Sequence, residues 1–337
     1  MTQIATSRDA DPALAARVRR TLGAPDAGPL AVLEGGRSGL TYVISNRGTR
    51  RVVKAVPPGS RAVGRNDVLR QSYVLSALAG CDVPVPRVIA RDAEEPAWFA
   101  MEFAEGAALE PVFEPAAALP TESARRRMLT AAAVLGRLHA VPPADLGARL
   151  REAGGELPAP ADPADELERW TRTMHAVPEE LRPGSAELLA ALAANVPPPV
   201  EPVLVHGDFR LGNLMFAGET PTALVDWEIW GVGDPRVDLG WFGVFTDGEL
   251  FPGVGRAVPG LPSEDDLAAT YRESRGCDGG TAAAEIVWFR ALGRMKMAAI
   301  MGHNLRRHRE GRRHDPVQEQ LPPTIAALIA SGVELAT

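Results

Sequence analysis

The sequence lacks the features that define several large classes of protein. Only two of its 337 residues are cysteines, Cys81 and Cys277, so we expect neither a disulfide framework nor a cysteine-based zinc site. Residues 1–20 carry acids and arginines but no apolar segment typical of a secretory signal. No stretch approaches the ~20 apolar residues that a membrane-spanning helix needs. These absences predict a soluble protein of the reducing cytoplasm, with no membrane partner.

The sequence also lacks an excess of basic charge. Its 36 lysines and arginines are outnumbered by 43 aspartates and glutamates, which gives a net charge of −7. Such a balance disfavours general binding of nucleic acid. The proportions of hydrophobic residues, 45%, and charged residues, 23%, are ordinary for a globular protein, and the chain is long enough for two lobes.

The densest group of chemically active residues lies at residues 203–213. An apolar run, VLV, predicts a short strand, and HGDFRLGN follows it, with Asp208 and Asn213 in the order His-x-Asp-x4-Asn. This spacing is typical of a phosphoryl-transfer loop in which the aspartate orients a hydroxyl group and the asparagine holds Mg²⁺. The alternative interpretation is a polar turn without catalytic function.

Asp226 is the predicted second ligand of the metal. Residues 214–216 and 222–225 are predicted to form the two strands of a hairpin, which would bring Asn213 and Asp226 side by side. Hard oxygen ligands from an amide and a carboxylate suit Mg²⁺, which keeps several of its waters. The alternative is that Asp226 is a surface acid that follows a strand.

Three segments together resemble the aminoglycoside phosphotransferase family, whose relatives include choline and homoserine kinases. They are HGDFRLGN at 206–213, DWE at 226–228 and GDPRVDL at 233–239. The resemblance implies an α+β, two-lobed protein-kinase-like fold. A small N-terminal lobe, residues 1–103, would hold an antiparallel sheet and one main helix. A larger, mostly helical C-terminal lobe would span residues 104–337, after a hinge at about 101–106.

The resemblance also implies a reaction. An ATP-dependent phosphotransferase would move the γ-phosphate of ATP to a hydroxyl group of a small molecule, assisted by Mg²⁺. Asp208 would act as the base, Asn213 and Asp226 would hold Mg²⁺, and Asp238 would bond to the backbone of the loop and fix Asp208. A protein kinase is disfavoured because no Ala-Pro-Glu segment follows Asp226.

The N-terminal part is expected to bind the nucleotide. The glycine-rich segment EGGRSGL contains Gly36, Ser38 and Gly39 and resembles the loop that covers the phosphates, although Gly39 stands where the family has asparagine. Glycine-rich turns also join ordinary hairpins. Lys54 lies on the third predicted strand and matches the lysine that contacts the α- and β-phosphates. Its alternative is an edge lysine with its ammonium group in water.

Gln71 marks a departure from the family pattern. Kinases pair the strand lysine with a helix glutamate, and Gln71 occupies that position on the helix predicted for residues 67–78. An amide accepts a hydrogen bond but contributes no charge. Asp67, one turn earlier, would substitute if its shorter side chain reaches. The departure keeps open an alternative function, a nucleotide-binding regulatory protein with little catalysis.

The segment that resembles the family's hinge contains Met101, Glu102 and Phe103. The resemblance implies that the backbone of this segment binds adenine. The alternative is a plain linker between the lobes.

The C-terminal part is predicted to be largely helical. Helices are predicted at 121–139, with Thr121 as N-cap, and further along the chain at 166–175, 186–194 and 281–309. Residues 142–165 are predicted to be a mobile loop or insertion.

Other residues are expected to have structural roles. Residues 12–22 predict an amphipathic helix, because Leu14, Val18 and Leu22 recur at a spacing of four. His139 is expected to be a packed core histidine and not a catalyst. Asp234 is expected to cap the helix that begins near residue 235.

The phosphoryl acceptor stays open at this level. Aminoglycosides are polycations and need an acidic pocket, whereas the C-terminal region carries a run of arginines: Arg306, Arg307, Arg309, Arg312 and Arg313. Such a run is commonly a solvated helix end. If it borders the cleft, an anionic acceptor such as a hydroxyacyl-CoA or a sugar acid is favoured. The Phe209-Arg210 pair resembles the branch associated with acyl-CoA dehydrogenases, and Arg210 would meet either a phosphate, a substrate acid or a neighbouring carboxylate.

Overall fold

The computed structural model describes residues 4–9, 11–33, 40–57, 59–115, 117–276, 283–312 and 314–337. Gly36, Ser38 and Gly39 of the glycine-rich segment lie outside the described residues, as do Cys277 and Arg313. The chain divides into two compact units. Unit 1 contains residues 1–108, 144–157 and 214–230, and unit 2 contains residues 109–143, 158–213 and 231–337. The boundary that we expected at residue 103 stays a prediction.

Unit 1 is built on a six-stranded antiparallel sheet. Its strands are β1 (Ile4–Asp9), β2 (Ala31–Leu33), β3 (Leu40–Asn46), β4 (Thr49–Ala55), β5 (Val88–Asp92) and β6 (Trp98–Glu102), in the spatial order β1-β2-β3-β4-β6-β5. Arg47 and Gly48 form the tight turn between β3 and β4, and both have positive φ, 48° and 82°. The predicted antiparallel sheet is therefore confirmed.

The first helix covers one face of this sheet. Helix α1 (Pro12–Thr21) places Leu14 and Val18 one turn apart, and both pack into the apolar cluster that includes Tyr42 and Val53 of the sheet. Because side chains alternate along a strand, Lys54 points to the other face from Val53. The amphipathic helix is thus observed where the apolar spacing predicts it.

Helix α2 (Val68–Leu78) follows, and the carboxylate of Asp67 accepts a hydrogen bond from the backbone N–H of Arg70, 3.0 Å away. Asp67 is thus the N-cap of α2. The expected mobile loop at residues 142–165 is wrong in its first half, because residues Pro143–Ala153 form helix α4. Leu146 and Leu150 are fully buried, and this i, i+4 pair holds the helix against its neighbours.

Unit 1 also contains the predicted hairpin. Strands β8 (Leu214–Ala217) and β9 (Thr220–Leu224) pair in antiparallel fashion, with Leu214 opposite Leu224. Gly106 lies against this hairpin so closely that a Cβ would be 2.5 Å from the carbonyl carbon of Phe216, which explains why glycine is needed there.

Unit 2 is mainly helical. Its helices are α3 (Thr121–His139), α5 (Pro163–His175), α6 (Ser185–Ala194), α7 (Arg236–Gly243), α8 (Glu264–Arg275), α9 (Ala283–Arg309) and α10 (Pro322–Ala336). Thr121 is not the N-cap of α3: that position belongs to Pro120, and the helix begins at Thr121 without a side-chain cap. Central helix α9 supplies Trp288, Leu292 and Met295 to the apolar core.

A short pair of strands leads into the loop that carries Asp208. Strands β7 (Val203–Val205) and β10 (Gly231–Gly233) pair in antiparallel fashion, and Asp234 and Pro235 connect the second strand to α7. Asp234 is not the N-cap of α7: that position belongs to Pro235, which has no side-chain cap. The carboxylate of Asp234 instead accepts a hydrogen bond at 2.9 Å from the backbone N–H of Arg236, the first residue of the helix. This arrangement carries Asp238 on the first turn of α7.

Candidate active site

The backbone of the loop after β7 is held by one buried carboxylate. Asp238 accepts hydrogen bonds from the backbone N–H groups of His206, at 2.7 Å, and Gly207, at 2.8 Å. Gly207 has φ 81°, a conformation that glycine adopts without strain. The expected contact between Asp238 and the loop backbone is observed. It fixes the two residues that precede Asp208.

Asp238 remains charged although it is fully buried. Burial raises its pKa, but the hydrogen bonds from His139 and from the backbone of His206 outweigh burial and lower the pKa below its ordinary value. His139 Nε2 lies 3.3 Å from Asp238, and His139 Nδ1 lies 3.0 Å from the hydroxyl of Tyr271. Burial lowers the pKa of His139. A neutral imidazole between these partners is a structural support, as we expected for a packed histidine.

The side chain of Asp208 is oriented by two donors. Asn213 donates through Nδ2 to the Asp208 carboxylate at 2.9 Å and to the Asp208 carbonyl at 2.8 Å. Trp241 of α7 donates through Nε1 to the other carboxylate oxygen at 3.0 Å. The structure therefore brings Asp208 and Asn213 together within unit 2. Nothing in the sequence pattern singled out Trp241.

Glu110 is a second buried acid that sequence reasoning missed. It accepts a hydrogen bond from the backbone N–H of Gly212 at 2.9 Å and an ion-pair contact from Arg210 at 3.4 Å. Burial raises the pKa of Glu110, and the guanidinium of Arg210 offsets part of this rise. The resulting pKa of Glu110 is about 7. Arg210 also lies 3.7 Å from Asp208. Of the alternatives for Arg210, the salt bridge is the one observed.

Unit 1 brings together another group of predicted residues. The ammonium of Lys54 donates to Gln71 at 3.1 Å and to Asp226 at 3.2 Å, and it lies 3.7 Å from Glu228. Asp67, which we considered as a substitute for the missing helix glutamate, is used as a helix cap instead. The charged contacts of Lys54 come from the segment 226–228, and α2 contributes an amide.

The backbone at Asp226 is strained. Its φ is 68°, which places a non-glycine residue in the left-handed region. This conformation costs of order 1–3 kcal/mol and is concentrated at functional sites. The turn at Asp226 connects β9 to Trp227. The buried indole of Trp227 donates a hydrogen bond to the carbonyl of Leu224 at 2.9 Å. Burial of Trp227 thus helps to hold Asp226 in this conformation.

The three predicted hinge residues have different surroundings. Met101 is buried in β6, opposite Val52 and Val88 of the neighbouring strands. Glu102 is exposed and forms an ion pair with Arg87 at 2.7 Å. The ring of Phe103 is covered by the guanidinium of Arg50, 3.8 Å from the ring centroid. Recognition of adenine by this segment stays a prediction.

Three of the C-terminal arginines have acidic or backbone partners within unit 2. Arg309 pairs with Glu319 at 2.7 Å, Arg312 pairs with Glu310 at 3.1 Å, and Arg306 donates to the carbonyl of Ala176 at 2.7 Å. These contacts agree with the interpretation of a solvated helix end.

The residues that the structure describes contain no ready-made metal cluster. Within them, no three His, Cys, Asp or Glu side chains form a group that could hold a metal ion. No helix in the described ranges combines the length and the apolar character that crossing a bilayer requires.

Solved structures with the same architecture define the fold class. A putative aminoglycoside phosphotransferase from Ralstonia eutropha JMP134 superposes with a TM-score of 0.76 at 25% identity, covering 98% of both chains. A thermostable mutant of the aminoglycoside phosphotransferase APH(4)-Ia, in a ternary complex with ADP and hygromycin B, gives a TM-score of 0.60 at 17% identity over 95% of this chain and 99% of that chain. The fold is therefore the protein-kinase-like fold of these enzymes, as predicted.

The sequence comparison identifies the family. Residues 29–269 match the phosphotransferase enzyme family, and the chain belongs to that family. Acyl-CoA dehydrogenase family member 11 of Gallus gallus is 27% identical over 332 residues, covering 92% of this chain and 41% of the relative. Acyl-CoA dehydrogenase family member 10 of Mus musculus is 28% identical over 243 residues, covering 68% and 22%. The chain thus spans less than half the length of these curated relatives.

Proposed function

We propose that this phosphotransferase is an ATP-dependent kinase that transfers the γ-phosphate to a hydroxyl group of a small molecule. The observation that carries the proposal is the way Asp208 is held. The backbone N–H groups of the two residues before Asp208 donate to the carboxylate of Asp238. The carboxylate of Asp208 accepts one hydrogen bond from Asn213 and one from Trp241. A carboxylate whose two oxygens each accept a hydrogen bond from a fixed donor is suited to orient a reacting hydroxyl group.

Asp208 has the role of base in this proposal. Phosphoryl transfer needs little covalent chemistry from the protein, so catalysis depends on positioning and on electrostatic stabilisation. The attacking hydroxyl donates to the Asp208 carboxylate, which aligns the oxygen and accepts the proton as the new O–P bond forms. The bond between the γ-phosphorus and the oxygen that bridges it to the β-phosphate breaks, and ADP leaves. Asn213 and Trp241 prevent the carboxylate from rotating out of this orientation.

The donor set fits a magnesium ion. Both hydrogen bonds that the structure gives the Asn213 side chain leave from its nitrogen, so the amide oxygen is the atom that would ligate a cation. Asp226 supplies a carboxylate in a strained backbone position. One carboxylate and one amide, without a larger cluster of acids, are sufficient for Mg²⁺, which also takes phosphate oxygens and water. When bound, Mg²⁺ would neutralise charge on the transferring phosphate.

Lys54 is assigned to the α- and β-phosphates of ATP. Its ammonium is nearly buried and already contacts Asp226, so it lies beside the carboxylate assigned to the metal. Glu228 and Gln71 hold the ammonium from two further sides. We propose that the segment 226–228 supplies the charge that a helix glutamate supplies in kinases.

The acceptor is a small hydroxylated compound, and its class is the least constrained part of the proposal. The structural relative APH(4)-Ia was solved with hygromycin B, an aminoglycoside. The curated relatives instead carry acyl-CoA dehydrogenase names. Neutral, cationic and anionic alcohols should therefore be compared directly, with hydroxyacyl-CoA thioesters and sugar acids among the anionic ones.

The test is incubation of the purified protein with Mg-ATP and a panel of these alcohols, followed by ³¹P NMR. A new phosphomonoester signal, together with stoichiometric ADP, supports the proposal and identifies the acceptor. Binding of Mg-ATP without product across the panel would favour the alternative, a nucleotide-binding regulatory protein. The neutral contact between Gln71 and Lys54 is the observation on which that alternative rests.

A further inference from the structure

A buried lysine lies next to the loop that carries Asp208. Lys296 belongs to α9, and only 3% of its surface is exposed. Its ammonium donates a hydrogen bond to the carbonyl oxygen of Gly207, the residue that precedes Asp208. Lysines are rarely buried to this extent unless their charge has partners, so the contact requires a physical explanation.

Two indole rings enclose the ammonium. Lys296 Nζ lies 4.0 Å from the centroid of the Trp241 ring and 5.0 Å from that of Trp170. A cation is attracted to the face of tryptophan, and the attraction is stronger where water is excluded. Trp241 is also the donor to the Asp208 carboxylate. One ammonium therefore contacts both the backbone before Asp208 and the ring that orients its side chain.

The surrounding charges favour the ammonium form. Burial lowers the pKa of Lys296, but the charges of Asp208, Glu166 and Asp238 raise it, while Arg169 acts in the opposite sense. Three carboxylates, one each from the loop, α5 and α7, thus stabilise the ammonium of Lys296, and one guanidinium opposes them. The net pKa of Lys296 lies below the ordinary value of lysine, with burial as the largest cause. The carbonyl of Gly207 and the faces of the two indoles are the contacts that stabilise its ammonium form.

We propose that Lys296 is a positioning residue for phosphoryl transfer, whose ammonium fixes Gly207 and the Trp241 indole and so holds the Asp208 carboxylate in its reactive orientation. The catalytic consequence rests on the proposed function, but the effect on Trp241 does not. An apolar side chain of similar length would fill the space without holding either group. If the role were only to fill space, replacement by methionine would be tolerated, because burying a charge is itself costly.

The experiment uses the full chain labelled with 5-fluorotryptophan, in which ¹⁹F NMR resolves the indoles and Trp241→Phe assigns the Trp241 resonance. Lys296→Met should shift that resonance and lower kcat for Mg-ATP turnover by roughly 10- to 100-fold, with KM for ATP changed little, because the reacting carboxylate is misplaced. The acceptor is the alcohol found in the panel, or water if none is turned over. Lys296→Arg should bring both the Trp241 resonance and kcat part of the way back to their wild-type values.

A matched control lies two residues away on the same helix. Arg294 is also buried, but it bonds to Glu264 at 2.5 Å and to Ser331 at 3.0 Å, away from the loop. Arg294→Met should leave both kcat and the Trp241 resonance unchanged. If Lys296→Met does not fold, Lys296→Gln replaces it, since the amide donates without a charge.

The outcomes separate the two proposals. An unmoved Trp241 resonance in a folded neutral variant overturns the inference, and so does a moved resonance with unchanged kcat. If the wild-type protein turns over no Mg-ATP, the proposed function fails, and the resonance alone then decides whether Lys296 holds the indole beside Asp208.

Discussion

Replacement of Asp238 by asparagine is the most informative test of how the loop is held. The change keeps the volume of the side chain but removes its charge and one of its two acceptor oxygens. Asp238 accepts from His206 at 2.7 Å and from Gly207 at 2.8 Å. In the variant one bond becomes neutral, and the other N–H faces an NH₂ donor instead of an oxygen. A hydrogen bond to a charged group contributes about 1.5–3 kcal/mol, and a buried donor left unsatisfied costs about 1–3 kcal/mol. We therefore expect Asp238→Asn to lower the free energy of unfolding by about 3–5 kcal/mol.

The assay is urea denaturation at neutral pH and at acidic pH. The pKa of Asp238 is lowered by folding, so its stabilisation is present above its unfolded pKa of about 4 and is lost as the pH falls through the folded value. The wild-type protein should lose this increment on acidification, and the variant should not. We also expect kcat to fall by roughly 10²-fold, because the loop before Asp208 is released.

The control is the same substitution at exposed Asp247, which accepts from the backbone N–H of Glu249 at 2.8 Å. Asparagine caps such a turn as well as aspartate does, so Asp247→Asn should change the free energy of unfolding by less than about 0.5 kcal/mol. An equally small effect of Asp238→Asn would refute the reasoning, because it would mean that the two backbone contacts contribute nothing.

Three other predictions follow from the same structure. Lys54→Met should raise the ATP Kd, measured by calorimetry, by roughly 10- to 100-fold, since a charge-assisted contact is lost; an unchanged Kd would contradict the assignment. Folding raises the pKa of Glu110 from 4.5 to about 7, so the folded state holds the proton more tightly and stability should decline as the pH rises through that interval. Glu110→Gln should abolish this decline when the free energy of unfolding is measured as a function of pH. The same pH dependence in the wild type and the variant would contradict the prediction. Gly240→Ala should destabilise the protein by about 1–3 kcal/mol in thermal unfolding, because its Cβ would be 2.5 Å from the carbonyl carbon of Phe289. The same change at helical Gly147, with neighbours no nearer than 3.6 Å, should instead stabilise by about 0.5–1 kcal/mol.

Local sequence patterns were enough to predict much of the fold. Two runs suited to strands, residues 41–45 and 51–56, are joined by the turn-forming segment NRGT and predict β3 and β4. The i, i+4 leucine and valine of α1 predict its buried face. Helix α4 was missed because Pro, Ala and Gly dominate residues 142–165 and obscure one pair of leucines, Leu146 and Leu150. Proline at the first position of a helix is compatible with its start, so the composition was misleading there.

The candidate site was only partly predictable for a different reason. Asp208, Asn213 and Asp226 occur in short motifs whose spacing carries chemistry, so sequence alone proposes them. Trp241 and Lys296 act through contacts between segments that are distant in the chain, and no local motif marks them. Lys296 lies in the largely apolar segment 295–302 of its helix, and a lysine at such a position is a feature of the sequence that indicates a buried charge.

The partners of Lys54 illustrate the same limit. The substitution of glutamine at position 71 indicates a change in the ion pair, but it does not tell which residue supplies the charge. The left-handed turn at Asp226 brings that carboxylate and Glu228 to the ammonium. Since this geometry depends on backbone conformation and not on spacing, it required the structure.

The Asp208 carboxylate is proposed to act as the base of phosphoryl transfer, and Asp208→Ala tests this role most directly. Turnover of Mg-ATP and ATP affinity should be measured on the same preparation, with the wild-type protein as reference. We predict that turnover falls by roughly 10²- to 10⁴-fold while the ATP Kd stays within about twofold, because a positioned base is removed and the nucleotide contacts assigned to Lys54 remain. Turnover equal to that of the wild type would contradict the account.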